Sequence, residues 1–356
     1  MRIAQIAPLY EAVPPRLYGG TERIIAHLCD ALADLGHDVT LFAAGGSRTA
    51  ARLVAAREQA LRLDPSRVKS DVGSHLNMLC EVRRRCAQFD ILHFHIDMSH
   101  FPFFEPQAKS TVTTVHGRLD GNDLPPVYAH WQRFGLVSVS DAQRRPLPNA
   151  NWLATVSHGI PPPLYTFTER NSGKYLAFLG RLAPEKGVDR AVRVALLSEM
   201  RLQIAAKIDS TDTSYFDTVV RPLLRHSAVD FIGEIGDGSK SEFLGEATAL
   251  LFPIDWPEPF GLVMIEAMAC GTPVIAWNRG AVPEVVEDNV TGFIVNSEEE
   301  ALAAIARARH LDRRRVRAGF ERRFTAAKMA KAYLDVYEDC RIRSRGPCIM
   351  HRAHDP

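Results

Sequence analysis

The stretch PIDWPEPFGLVMIEAMACGTPVIAWNRGAVPEVV, residues 253–286, decides how the rest of the chain is read. A proline-rich loop leads into the apolar run GLVMIEAMACG, of helical length and ended by Gly271, and TPVIAW follows as a short β-rich run. ATALLFP, just upstream, reads as another strand. Strand, loop, helix and strand in that order form the repeating unit of a parallel sheet covered on both faces. Glu258 stands in the loop before the helix and Glu266 on its first or second turn. Between them lie the backbone N–H groups of Phe260, Gly261, Leu262 and Val263, which no earlier helical turn can satisfy. Such a place can accept hydrogen bonds from sugar hydroxyls while donating to a phosphate. Taken alone, it is equally a helix N-terminus with a favourable charge beside a solvated residue.

Upstream, YLAFLGRLAPEKGVDRAV (175–192) places Arg181 at the end of a strand and Lys186 in a loop closed by Gly187. Ligands of open α/β sheets bind outside the carboxyl ends of strands, so both cations face a crevice. Arginine grips phosphate bidentately and lysine adds a point charge. A surface arginine and a solvated lysine are the plainer alternative. RLQIAAKI, VDFIG and TGFIV complete the strands of this half, with GVDRAVRVALLSE and EEEALAAIARAR as helices.

The other half repeats the rhythm. RIAQIA (2–7) precedes the loop PLYEAVPPRLYGG, and a helix capped by Thr21 carries Ile24, Ile25, Leu28, Leu32 and Leu35 at helical spacing. HDVTLFAAG and the runs at 89–96, 110–117, 135–141 and 151–160 read as further strands. PPPLYTFTERNSG (161–173) suits a linker. The expected fold is therefore α/β, two Rossmann-like doubly wound parallel-sheet domains facing a cleft. The expected domains are 1–163 and 164–335. A helix near 320–340, punctuated by Phe324, Met329, Tyr333 and Tyr337, is expected to pack back on the first domain, and 341–356 to be a disordered tail.

Composition agrees and excludes other classes. The chain has 356 residues, 46% of them hydrophobic, enough for two cores. Its 43 basic and 42 acidic residues leave a net charge of +1, without the cation excess of a nucleic-acid binder. Six cysteines with no Cys-x-x-Cys pair fit neither a disulfide framework nor a zinc ribbon. The opening MRIAQIAPLY has too short an apolar stretch for a signal peptide, and no run approaches the ~20 apolar residues of a membrane span. The cytoplasm is the expected compartment, with peripheral contact at the inner membrane face allowed.

The two motif stretches together resemble the retaining glycosyltransferases of family 4, of the GT-B fold. The resemblance rests on GRL-x-x-EKG at Arg181 and Lys186, and on the Glu-x7-Glu segment at Glu258 and Glu266 with Gly271, Pro273 and Val274. It extends over nearly the whole chain. It implies that Arg181 and Lys186 bind the donor diphosphate, Glu258 the sugar hydroxyls and Glu266 the ribose. It places Gly19 and Gly20 against the diphosphate, where glycine allows close approach. By the same resemblance, His116 approaches the donor sugar, and Gly233 and Ile235 line the base through backbone.

The implied reaction is hexose transfer with retention of anomeric configuration. The departing phosphate oxygen takes the acceptor proton, and no metal or other cofactor is required. Catalysis would fall to His116, Arg181, Lys186 and Glu258. UDP-glucose is the first choice of donor, ahead of other UDP-hexoses and GDP-mannose. The acceptor, a lipid-linked glycan, a polysaccharide precursor or a small molecule, is expected near Tyr18, His95, Arg118 and Asp120.

Other signals are weaker. His93, His95 and Asp97 alternate on one strand face and could ligate a metal, but no fourth ligand is evident. The arginine-rich region from Arg48 to Arg85 is expected to be a solvated helical face rather than a membrane contact. GEIGDG at 233–238 has the wrong spacing for a dinucleotide fingerprint, which disfavours a dehydrogenase. A nucleotide-sugar epimerase of the same fold, a non-catalytic nucleotide-sugar sensor and an inverting transferase with His116 as base stay open as alternatives.

Overall fold

The computed structural model describes residues 1–16, 19–64 and 70–345. Its first sheet has strands β1 (Arg2–Ile6), β2 (Asp38–Ala44), β3 (Arg52–Arg57), β4 (Ile91–Phe94), β5 (Thr111–Thr114), β6 (Gly135–Ser138) and β7 (Trp152–Thr155). They lie in the order β3-β2-β1-β4-β5-β6-β7, and every neighbouring pair is parallel. The second sheet has β8 (Tyr175–Arg181), β9 (Arg201–Lys207), β10 (Val229–Gly233), β11 (Leu250–Phe252), β12 (Val274–Trp277) and β13 (Gly292–Val295). Their order is β10-β9-β8-β11-β12-β13, again all parallel.

The sequence explains this. β2, β4 and β12 are buried along almost their whole length, as near-continuous apolar runs must be when helices cover both faces. The long helices are α1 (Gly20–Asp34), α2 (Val72–Arg85), α3 (Val188–Leu197), α4 (Asp237–Gly245), α5 (Leu262–Ala269), α6 (Glu298–Ala308), α7 (Arg313–Arg323) and α8 (Ala326–Arg345). In each sheet the strand order reverses beside its first strand, between β1 and β4 and between β8 and β11. These are the switch points at which parallel sheets open a crevice, and the two sheets turn theirs toward each other.

Three expectations are corrected. The arginine-rich region is not one helical face: Arg52–Arg57 forms β3, and α2 covers only Val72–Arg85. As the edge strand, β3 has one neighbour and is only partly buried, so RLVAAR carries too weak an apolar signal to announce a strand. The helix expected near 320–340 is two, α7 and α8, broken at Phe324 and Thr325. There the backbone of Ile160 donates to the Phe324 carbonyl (2.9 Å) and accepts from Ala326 N–H (3.0 Å), so the chain pivots on the end of the first domain.

The third correction is at the C-terminus, where α8 runs to Arg345 through part of the expected tail; 346–356 lie outside the described residues. The apolar spacing explains the extra turn, because Cys340 follows Val336 and Tyr337 on the buried face. α8 lies on α1, β4 and β5 of the first domain. Met329, Tyr333, Val336 and Tyr337 are all buried there, each contributing about 2 kcal/mol.

Candidate functional site

A cleft of about 790 Å³ opens between the two sheets, within the size range of small-molecule sites. The second domain supplies the ends of β8 and β11 and the start of α5; the first supplies the ends of β1, β4 and β5 and the start of α1. Arg181, Lys186, Glu258, Glu266, Phe260, Gly261, Leu262, Val263, Ile235, Gly19, Gly20, His95 and His116 all line it.

The charged wall is tightly paired. Lys186 Nζ lies 2.5 Å from Glu258 Oε2, and Trp256 Nε1 donates to the same oxygen at 2.7 Å. The ammonium also sits 4.5 Å from the centre of the Trp256 ring, a cation–π arrangement. Arg181 spans two carboxylates, Glu185 at 2.6 Å and Asp212 at 3.2 Å. Gly261 caps α5 with φ +86°, and a Cβ there would lie 2.7 Å from Met264 Cε, so glycine is required for the turn that aims the helix at the cleft. Across the gap, a Cβ on Gly20 would come within 3.3 Å of Leu262 Cδ1; the starts of α1 and α5 nearly touch.

Glu266 lies deeper, on the second turn of α5 and only 2% exposed. Its Oε1 accepts from Lys240 Nζ (2.8 Å) and Tyr165 Oη (2.7 Å), while Oε2 has no protein partner. Burial pushes the carboxyl up, but Lys240 and Arg23 outweigh it and hold it below its usual value. Arg23 of α1 also pairs with Asp237 at the start of α4, a bridge between the domains. A buried, ionised carboxylate with one oxygen unclaimed is suited to receive hydroxyl donors.

The other wall carries a cluster of histidines. His116 Nε2 meets His95 Nδ1 at 2.9 Å, and its Nδ1 has no partner. The His158 ring stacks on it at 5.3 Å, and Phe260 packs edge-on against His158 at 4.9 Å. Burial pushes His116 down to about 4 and His95 and His158 well below their usual value, so all three are neutral at physiological pH. His93 uses both ring nitrogens, with Tyr337 Oη and Thr114 Oγ1 each at 2.7 Å, and His95 Nε2 is held by Gln5 at 2.8 Å. The alternation that suggested ligands serves a hydrogen-bond network.

The remaining expected residues are less central. Gly233 ends β10 with φ +80°, outside the wall formed by its neighbours Glu234 and Ile235. Arg118 and Asp120 do not line the cleft: they pair with each other at 2.5 Å, and the guanidinium lies 5.3 Å from the Trp256 ring. Tyr18 lies outside the described residues. Sequence reasoning missed His158, Trp256, Lys240 and Arg23, together with Tyr10, Arg62, His75 and Ser99, which extend the first-domain wall. Of these only Trp256, within PIDWPEPF beside Glu258, carried a local signal.

Its sequence context marks Asp97 only as a potential ligand. It holds a left-handed backbone (φ +48°), and its side chain opens into the cleft while ringed by protein, which pushes its carboxyl up to about 6. The domains are further tied by Glu284, whose carboxylate accepts from the backbone of Asp141 and Ala142 at 2.7 Å each, and by Ser140 Oγ donating to the Pro259 carbonyl at 2.6 Å.

The family model for glycosyl transferases group 1 matches residues 167–322, and that for glycosyltransferase family 4 matches 18–160. The chain is 26% identical to the phosphatidyl-myo-inositol mannosyltransferase of Mycobacterium leprae, over 95% of this chain and 96% of that one. Among solved structures, sucrose-phosphate synthase from Thermosynechococcus elongatus superposes with a TM-score of 0.77 at 18% identity, covering 95% of this chain and 98% of that one. Anabaena Alr3699/HepE in complex with UDP-glucose gives a TM-score of 0.71 at 18% identity, covering 95% and 100%. At such identities the structural likeness speaks to the GT-B fold. Among the described residues, no helix is long and apolar enough to cross a membrane.

Proposed function

The chain belongs to the group 1 glycosyltransferases of the GT-B fold, and on that premise we propose that it moves a hexose from UDP-glucose to a hydroxyl acceptor with retention at the anomeric carbon. The observation that carries this reading is the meeting of Arg181, Lys186, Glu258, Glu266 and the start of α5 in one cleft. Breaking the bond to a nucleoside diphosphate develops negative charge on the leaving phosphate and positive charge on the sugar ring. Arg181, Lys186 and the first N–H groups of α5 oppose the former. Glu258, fixed by Lys186 and Trp256, holds sugar hydroxyls, and the unclaimed Oε2 of Glu266 takes the ribose hydroxyls. The reading assigns the diphosphate to Arg181, Lys186 and the start of α5, without a metal ion.

The paired charges make the site pre-organised: its donors are oriented before the reaction and need not reorganise as charge develops. Retention follows if the acceptor hydroxyl attacks from the side the phosphate leaves and passes its proton to that phosphate oxygen. The acceptor enters along the first-domain wall, where Tyr10, Asp97 and Ser99 offer polar groups. His116 Nδ1 stands as the acceptor for a sugar hydroxyl. The Alr3699/HepE complex with UDP-glucose supports the donor choice by fold likeness.

A thermal-shift panel with UDP-glucose, other UDP-hexoses and GDP-mannose tests the reading. UDP-glucose is expected to raise Tm most. A panel in which no nucleotide sugar shifts Tm contradicts the donor site, and a larger shift with GDP-mannose replaces the donor.

A further inference from the structure

A single line of hydrogen bonds runs from the cleft histidine to the last helix of the chain. His116 Nε2 meets His95 Nδ1 (2.9 Å), and His95 Nε2 meets Gln5 Oε1 (2.8 Å). Gln5 Nε2 then reaches Tyr337 Oη (3.0 Å), which meets His93 Nδ1 (2.7 Å). His93 Nε2 continues to Thr114 Oγ1 (2.7 Å) and Thr114 to Tyr333 Oη (2.9 Å). Gln5, His93 and Tyr337 are fully buried and Tyr333 is 1% exposed, so no solvent competes for the bonds behind His95.

We propose that Gln5 and Tyr337 are positioning residues that fix which ring nitrogen of His116 carries its proton. An amide oxygen only accepts, so His95 Nε2 carries hydrogen toward Gln5 Oε1. The neutral ring then offers a bare Nδ1, and the bond to His116 requires that His116 Nε2 be the protonated atom. His116 Nδ1 is left as a lone pair without a protein partner. On the far side, Gln5 Nε2 donates to Tyr337 Oη, so the phenol donates onward to His93 Nδ1. His93 in turn donates from Nε2 to Thr114 Oγ1.

Turning the Gln5 amide over gives a second consistent order in which every proton shifts and His116 carries hydrogen on Nδ1. The cleft histidine is thus a hydrogen-bond acceptor in one order and a donor in the other. The structure holds the first order, with the Gln5 NH₂ group on the Tyr337 hydroxyl near the opposite end of the chain; without that acceptor the amide would turn its NH₂ group toward His95. The kinetic consequence rests on the proposed placement of His116 beside the transferred sugar; the proton order itself does not.

Nitrogen NMR of the full-length protein labelled at histidine tests the inference. In the wild type, His116 is expected to show an unprotonated Nδ1 and a protonated Nε2. Tyr337→Phe removes the acceptor that holds the Gln5 amide, and Gln5→Leu removes the amide. Each is expected to transfer proton density to His116 Nδ1, and to lower kcat about tenfold while the donor KM stays within about twofold. A merely structural loss would lower Tm with the His116 signals unchanged. A wild-type His116 protonated on Nδ1, or His116 signals unaltered in both folded variants, overturns the proposal. Normal transfer by His116→Ala would instead overturn the sugar-facing placement and leave the spectra to judge the proton order.

Discussion

The second-domain wall of the cleft holds its polar groups by charge, and most of them come from short segments: Arg181, Glu185 and Lys186 within six residues of β8 and its loop, Trp256 and Glu258 just before α5. The histidine part of the first-domain wall holds its groups by neutral hydrogen bonds between residues far apart in the chain, such as Gln5 with His95 and Tyr337. The first arrangement suits a site that meets developing charge. The second suits one that presents a fixed donor or acceptor without a charge of its own. The two walls should therefore respond differently to substitution and to pH.

The largest effect is expected at Lys186. Lys186→Ala removes one phosphate donor and leaves the Glu258 carboxylate without its cation, so kcat should fall about 10³-fold, roughly 4 kcal/mol. Because the two side chains touch, the double variant with Glu258→Ala should lose far less than the two single losses combined. Steady-state kinetics on the cycle checks this; full additivity would mean that the two act separately.

Acid comes next and should strike the other wall. A neutral buried histidine whose folded value lies below its unfolded value of about 6.5 binds its proton only when the chain unfolds. That stability is present above about pH 6.5 and is lost as pH falls toward the folded value, by about 1.4 kcal/mol per pH unit for each such histidine. His93, His95, His116 and His158 all carry this depression. Hydrogen exchange at pH 5 against pH 7 should show β4 and β5 losing protection before β8 and β11. Equal loss in both sheets would deny the contrast.

Asp97 should give a smaller effect of opposite sign. Its carboxyl ionises near 3.9 unfolded and at about 6 folded, so it favours the folded chain below about pH 4 and loses that contribution as pH rises to about 6. Because the side chain opens into a wet cleft, Asp97→Asn should stabilise the protein at pH 7 by about 1 kcal/mol at most, with the difference vanishing below about pH 4 in urea melts.

This contrast also governs what could be read before folding. Short apolar runs bounded by loop residues announce themselves, as YLAFLG and TPVIAW do, and the charged wall follows because Arg181 and Lys186, or Glu258 and Glu266, are fixed by local spacing. Edge strand β3 escaped because half its surface is open and its pattern is diluted by Arg52 and Arg57. His95 and His116 were expected in the cleft, but the bonds behind them escaped for a different reason. His93 and His95 alternate on one strand as ligands would, while their partners stand at Gln5, Thr114, His116 and Tyr337, which only the crossing of β1, β5 and α8 brings together. Lys240 escaped similarly, since its bond to Glu266 joins α4 to α5.

The central claim is that the charged wall, more than the histidine wall, supplies the donor's affinity. Isothermal titration of UDP-glucose into the full-length protein tests it directly by comparing Arg181→Ala with His116→Ala. The account predicts that Arg181→Ala weakens binding at least about tenfold, or 1.4 kcal/mol, whereas His116→Ala stays within about twofold of the wild type. Wild-type affinity in Arg181→Ala would contradict it.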